Sequence, residues 1–148
     1  MKFVVKTFAE LTTSELYELL RLRSEVFVVE QDCVYQDIDG KDEKALHVIG
    51  SKEGKIIAYT RLFDRGAYFE MSSIGRVVVK EDERKYGYGH DLMDFSIKAI
   101  AAEFNTTSIK IGAQTYLRKF YEGHGFIKVG EEYIEDGIPH IYMIKKGL

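Results

Sequence analysis

The chain has one cysteine and one proline. Cys33 has no partner for an internal disulfide, so the fold cannot rest on covalent staples. No apolar run approaches the roughly 20 residues that a membrane-spanning helix needs, and the opening "MKFVVKTFAE" lacks the long apolar stretch of a secretory signal. No membrane partner is expected, and the cytoplasm is the expected compartment. Neither sign of charge dominates: 21 Lys and Arg stand against 24 Asp and Glu, for a net charge of −3, which argues against nucleic acid as a partner. Internal repeats, low-complexity tracts and linkers rich in proline, glycine or serine are also missing. Residues 1–148 are therefore expected to form one domain.

What is present is apolar and aromatic. The chain is 45% hydrophobic with ten tyrosines and nine phenylalanines, enough for a packed core with no metal required. A chain of this size buries about two-thirds of the surface its unfolded form exposes.

Periodicity sets the order of elements. "KFVVKTF" is short and β-branched, as in a strand. "TTSELYELLRLRSEVF" opens with Thr12 and Glu15 in capping-box spacing and carries Leu16, Leu19, Leu20, Val26 and Phe27 on one helical stripe. From Ala45, two strands flank the turn "SKEG", and "AYFEMSSIGRVVV" supplies a third antiparallel strand. "GHDLMDFSIKAIAAEF" sets Met93, Ile97, Ile100 and Phe104 on one buried helix face. "TSIKIGA" is a buried strand, "QTYLRKFYEGHG" a short helix ending in glycines, and "FIKVGEEYIEDGIPHIYMIK" a hairpin turning at Asp136-Gly137. Strand, helix, strand from Ile74 to Gly112 form a crossover, which requires a parallel pair inside an otherwise antiparallel sheet. The expected class is α+β with a mixed, mostly antiparallel sheet.

The junction "RVVVKEDERKYGYGHDLM" brings Gly87 and Gly89 to the start of the long helix. A helix N-terminus offers unpaired N–H groups and a positive dipole end, a setting that holds anions. Neither common nucleotide loop fits: G-x-x-x-x-G-K-[ST] is absent, and the third glycine of G-x-G-x-x-G is replaced by Leu92. The spacing R-x-x-G-x-G does occur, as Arg84, Lys85, Tyr86, Gly87, Tyr88 and Gly89. Arg84 and Lys85 can add charge-assisted contacts to phosphate, or can form an ordinary solvated turn.

This loop resembles the acetyl-CoA signature of the GNAT superfamily of N-acetyltransferases. "FYEGHGF" adds Y-x-x-x-G-F at Tyr121, Gly125 and Phe126, one strand and one helix later, where the superfamily has a tyrosine facing the cofactor's sulfur. "LRLRSEVFVVEQDCVYQDIDGKD", "SIGRVVV" and "EEYIEDGIPHIYM" together resemble the ElaA-like branch over nearly the whole chain. The resemblance implies a central parallel pair splayed at the acetyl-CoA site, with helices on both faces of the sheet. Acetyl-CoA would be a cosubstrate, with no metal. Backbone N–H groups near Val77, Val78 and Val79 would bind the pantetheine amides and thioester carbonyl, and His90 would sit with the glycine loop at the phosphate end. Tyr121 would support the departing thiolate; otherwise it packs on its helix beside Leu117.

The acceptor implied is an amine, on a small molecule or a protein, and the oligomeric state is left open, with a homodimer one option. An alkylammonium with a pKa of about 10.4 must lose a proton before it attacks. His140 in the last hairpin and His47 at a strand start are candidate bases, each with an ordinary structural reading beside it. His124 is expected to cap a turn. Arg76, beside three valines, either forms a structural ion pair or faces the acceptor, the second being favoured. Residues 30 to 44 carry six carboxylates against Lys41 and Lys44, so this loop attracts a cationic amine or is simply a solvated charged loop. Calcium is excluded by Asp42 and Val48 at the sixth and twelfth places counted from Asp37. Two further readings differ in kind: a noncatalytic acyl-CoA sensor, and an acyltransferase for longer chains, since "LRSEVFVVEQ" and "SIGRVVV" faintly resemble acyl-homoserine-lactone synthases.

Overall fold

The structure is a computed structural model and describes residues 1–147. Strand β1 (Lys2–Thr7) leads to helix α1 (Thr13–Arg23), which continues as a wider π-helical turn over Ser24–Glu30. The capping box forms as expected: Glu15 N donates to Thr12 Oγ1 at 3.1 Å, and Thr12 N donates to Glu15 Oε1 at 2.9 Å. Three antiparallel strands follow, β2 (Leu46–Lys52), β3 (Lys55–Phe63) and β4 (Ser72–Val79). Then come α2 (Tyr88–Phe104), β5 (Ile109–Gln114), the short α3 (Arg118–Glu122), β6 (Ile127–Glu135) and β7 (Ile138–Lys145). Both tight hairpins turn on a residue pair with positive φ, Glu53-Gly54 (53° and 77°) and Asp136-Gly137 (50° and 77°), the combination a right-twisted two-residue turn requires.

The seven strands lie in the order β1-β2-β3-β4-β5-β7-β6. Every pair is antiparallel except β4 with β5. This is the mixed α+β sheet expected of the crossover. Both faces are covered. Leu19 and Leu22 of α1 and Val26 beyond it pack on Ile49, Tyr59 and Val78. On the other face Leu92, Met93, Ala99 and Ile100 of α2 pack against Val48, Ala58, Leu62, Ile109 and Ile111. Ile97 and Phe104 flank this second core half-buried. Among the described residues no helix is long and apolar enough to cross a membrane.

The segment between α1 and β2 is held by charge. Arg23, fully buried, bonds Asp37 through Nε and Asp42 through Nη1, both at 2.8 Å. Arg61 of β3 bonds Asp39 at 2.8 Å and Asp42 at 3.0 Å, and Arg76 of β4 donates to the Asp37 carbonyl at 2.9 Å. Three of the six carboxylates read as drawing in a cationic amine or as an ordinary solvated loop, Asp37, Asp39 and Asp42, are therefore neutralised by arginines from three separate elements. Burial pushes the Asp39 and Asp42 carboxyls up, but hydrogen bonds and charge from Arg61 and Arg23 outweigh it and hold both below the usual carboxylate range.

Breaking a buried ion pair by removing one partner strands the other charge. Arg23→Ala should lower unfolding stability by about 3–5 kcal/mol in urea denaturation at pH 7. The Asp42 carboxyl is depressed in the folded state, so its contribution is complete above the unfolded carboxylate value of about 3.9 and is lost as pH falls below it. The difference between wild type and Arg23→Ala should therefore shrink in acid.

Candidate active site

Strand β4 pairs with β5 only at Ser72 with Ile109 and Ser73 with Lys110, although both strands run on. Beyond Ser73 the two diverge, and the β5-facing edge of β4 through Val79 has no strand partner. A bulge helps this divergence. Gly75 pairs with Arg61 and Val78 with Tyr59, so Arg76 and Val77 together oppose Thr60, and Arg76 takes φ 50°.

A cavity of about 870 Å³ fills the opening. At one end it is bounded by Val77, Val78 and Val79, by Gly87, Gly89 and His90, and by Phe120 and Tyr121. At the other it runs beneath the β6–β7 hairpin, against Tyr133, His140 and Tyr142, and is also lined by Tyr35, Tyr68 and Phe69, the last edge-on to Tyr142 at 5.8 Å. The glycine loop has the form an anion site needs. Gly87 ends a 3₁₀ turn (Glu81–Tyr86) at φ 74° and precedes α2, whose leading amides have no side-chain cap. A Cβ at Gly87 would meet nothing within 4 Å, so glycine there answers the left-handed backbone and leaves the space above it open. A Cβ at Gly89 would touch only the Phe120 ring, at 3.5 Å. Open backbone amides beside a cleft of this length fit a pyrophosphate followed by an extended arm.

Residues 10–146 match the family described as the acetyltransferase (GNAT) domain. The chain belongs to the GNAT family. ElaA of Escherichia coli strain K12 is 43% identical over 140 residues, spanning 93% of this chain and 92% of that protein. The crystal structure of an acyl-CoA N-acyltransferase from Pseudomonas aeruginosa superimposes with a TM-score of 0.92 at 41% identity, covering 98% of this chain and 99% of its own. The structure of Escherichia coli ElaA gives 0.91 at 40% identity, covering 99% and 100%. The likeness to the ElaA-like branch thus holds in sequence and in fold.

Around this cavity of the GNAT chain the residues singled out from the sequence separate into two groups. Val77, Val78, Val79, Arg84, Gly87, Gly89, His90, Tyr121, Arg76 and His140 all line the cavity. Lys85, Tyr86 and Tyr88 do not. The 3₁₀ turn leaves Lys85 and Tyr86 exposed, while Tyr88 packs on the α2 core beneath the Lys52 ammonium. Arg84 is half committed elsewhere: its guanidinium holds Glu30 in a bidentate pair at 2.6 and 2.7 Å, and its Nε donates to the Val79 carbonyl at 3.0 Å.

Arg76 forms the structural ion pair of its first reading and also borders the cavity. It lines the cavity, and its Nε lies 2.8 Å from Asp37 Oδ1 in an ion pair too bent for a hydrogen bond. His47 lies outside the cavity, bonded to the Tyr59 hydroxyl at 2.6 Å and the Asp42 carbonyl at 2.9 Å. Burial lowers its pKa, so it is a neutral structural group and not a base for the acceptor. Cys33 is buried with its thiol donating to the Asp136 carbonyl at 3.2 Å, which ties the loop after α1 to the hairpin tip.

His140 is nearly buried. Its Nδ1 lies 2.7 Å from the Ile138 carbonyl and therefore carries the hydrogen, which leaves a lone pair on Nε2 in the neutral ring. Glu135 stands 3.7 Å from that Nε2. Tyr121 is enclosed against Phe120 and Phe126, and burial, with a smaller effect from Tyr116, raises its hydroxyl above the usual tyrosine pKa and keeps it protonated.

Three site features carry no local signal in the sequence. Gln31 and Gln114 exchange side-chain amide bonds at 3.2 and 3.3 Å across the cavity wall. His124, expected only at a turn, joins Asp94 to His90. Tyr133 stacks on Tyr142 and His140 at 4.5 and 5.6 Å and carries its hydroxyl over Gly112, two strands away.

A Cβ on Gly112 would lie 2.8 Å from the Tyr133 hydroxyl. Gly112→Ala should therefore destabilise the protein by about 1–3 kcal/mol through overpacking. The same change in a Tyr133→Ala background should cost nothing measurable. Equal costs in the two backgrounds, by urea denaturation, would show that the ring does not depend on the missing methyl.

Proposed function

We propose that residues 1–148 act as one acyl-CoA-dependent N-acyltransferase domain, moving an acetyl group from acetyl-CoA to an amine. The observation that carries this reading is the continuity of one cavity from the uncapped start of α2, past the unpaired edge of β4 and Tyr121, to His140. When bound, acyl-CoA supplies a thioester whose carbonyl carbon is open to attack by an amine.

The chain's own groups divide the work. The amides of Tyr88 and Gly89 at the start of α2 hold phosphate, and the free β4 edge at Val77–Val79 directs backbone donors at the thioester end. Donors aimed at a developing oxyanion contribute about 3 kcal/mol each. Nε2 of His140 accepts the proton that the attacking amine loses. The resulting imidazolium keeps its bond to the Ile138 carbonyl and gains Glu135 as a counter-charge. Tyr121, held protonated by burial, donates a hydrogen bond to the leaving thiolate; with reference values of about 10 and 8.5, full proton transfer is uphill and is not required. Arg76, matched by Asp37, holds the loop that closes the acceptor end. The aromatic rings there, with the carboxylates of Asp136 and Glu135 at the rim, suit a cationic amine on an apolar arm. A sensor would need the phosphate site but would have no use for a lone-pair imidazole and a protonated tyrosine in the same cavity.

Two substitutions separate binding from catalysis. Gly89→Val adds methyl groups over the α2 amides and against Phe120, and should abolish CoA binding by calorimetry with a normal melting profile. Unchanged affinity in that folded variant would place the phosphates elsewhere. Tyr121→Phe keeps the packing and removes the donor, so single-turnover acetyl transfer should slow by roughly 10²- to 10⁴-fold with CoA affinity nearly unchanged. Wild-type chemistry in that assay makes Tyr121 a packing residue.

A further inference from the structure

His90 and Asp94 lie one turn apart on the same face of α2, and His124, from the turn after α3, stands between them. Its Nδ1 is 3.2 Å from Asp94 Oδ1, and its Nε2 is 2.9 Å from His90 Nδ1. The order is carboxylate, imidazole, imidazole, cavity, because His90 also lines the cavity beside Gly89.

The hydrogen positions follow from what each atom can do. An ionised carboxylate only accepts, so Nδ1 of His124 carries a hydrogen. In the neutral ring its Nε2 is then a lone pair, and the bond to His90 must be donated by His90 Nδ1. A neutral His90 so fixed has its lone pair on Nε2, on the ring edge away from His124, and a lone pair repels a phosphate oxygen. One proton added at Nε2 reverses this. The ring becomes a donor at the anion site, and its charge is shared through His124 with Asp94.

We propose that Asp94 and His124 are positioning residues that set His90 to take up one proton from solvent when the pyrophosphate of an acyl-CoA binds, so that the site charges itself in response to its ligand. This rests on the acyl-CoA reading of the cavity. The surroundings support it. Burial holds His124 toward its neutral form against the pull of Asp94, with His90 and Lys145 of β7 acting in the same sense as burial. From α3 the packed group is the uncharged Phe120 ring, 4.8 Å from His90 and 5.2 Å from His124. From the loop before α2 comes Arg84, whose charge is matched by Glu30. Asp94 is therefore the carboxylate joined to the pair, and through it a cation on His90 is stabilised at a helix N-terminus that otherwise disfavours positive charge.

The sign is fixed. A group whose pKa is higher in the complex than in the free protein favours binding at low pH and loses that contribution as pH rises. Affinity for CoA should fall as pH rises, by up to about tenfold per pH unit. The test is calorimetry with CoA itself, at pH 7.5 in two buffers of different ionisation enthalpy and across pH 6 to 8.5. Wild type should take up about one proton. Asp94→Asn, at a solvent-facing side chain, keeps an acceptor for His124 but removes the charge. It should bind severalfold more weakly at pH 7.5, approach wild type as pH falls, and show reduced uptake. His90→Gln should bind with no uptake and a flat pH profile. Equal heats in the two buffers for wild type, or Asp94→Asn behaving as wild type, overturn the proposal. Uptake that persists in His90→Gln assigns the proton to the ligand's own phosphate and overturns it as well. Absence of CoA binding would overturn both this inference and the acyl-CoA reading, whereas binding without proton uptake overturns this inference alone.

Discussion

The site depends on two strands that begin as a parallel pair and then part. After two residue pairs, β4 and β5 share no further ladder, yet each stays bonded on its outer side, β4 to β3 and β5 to β7. The opening is therefore held by two rigid half-sheets and not by a flexible loop. An unpaired backbone edge inside a protein has to find other partners, and here that requirement faces a cavity. The bulge at Arg76 gives the departing strand its bend. The α2 core closes one face beneath the gap, and α1 with the loop that follows it closes the other.

That loop is the less ordinary part of the construction. It buries little apolar surface; Val34 and Ile38 point outward. Its place is fixed by Asp37, Asp39 and Asp42 on three arginines, and the cost of burying so much charge is offset only because each group has several partners. The result is a wall of the cavity whose shape is set by hydrogen-bond directions, which are narrower than those of apolar contact.

Much of this was legible in the chain. Alternation and turn chemistry gave the strands and both tight hairpins, since Glu53-Gly54 and Asp136-Gly137 need positive φ and contain residues that tolerate it. The spacing of Met93, Ile97, Ile100 and Phe104 gave the inward side of α2, although Leu92, Ser96 and Ala99 widen it. The glycines announced the start of that helix. What could not be read was the pairing of individual side chains across long sequence distance. Nothing near Asp37 or Asp42 announces Arg23, Arg61 or Arg76 as partners, so the loop reads either as an attractor of cations or as a solvated charged loop, when much of its charge is paired internally. Likewise His47 resembles any other strand histidine until Tyr59 and Asp42 are beside it. Lys85, Tyr86 and Tyr88 share the motif with the glycines, but the tight turn leaves Lys85 and Tyr86 exposed and the first turn of α2 packs Tyr88 on the core.

The order of the sheet also decides how two copies could meet. Its free edges are β1 and β6. Strand β6 is broken by a register shift between Val129 and Tyr133 and by Gly130 at φ 75°, and it carries the exposed charges of Lys128, Glu131 and Glu132. Strand β1 carries exposed Lys2, and its Lys6 is tethered to Glu15 at 2.8 Å. Kinked, charged margins are poor templates for adding another strand. A continuous sheet running across two molecules is thereby disfavoured, and so is the fibrous self-association that flat apolar edges invite; any partnership between copies is left to the helical faces and the connecting segments.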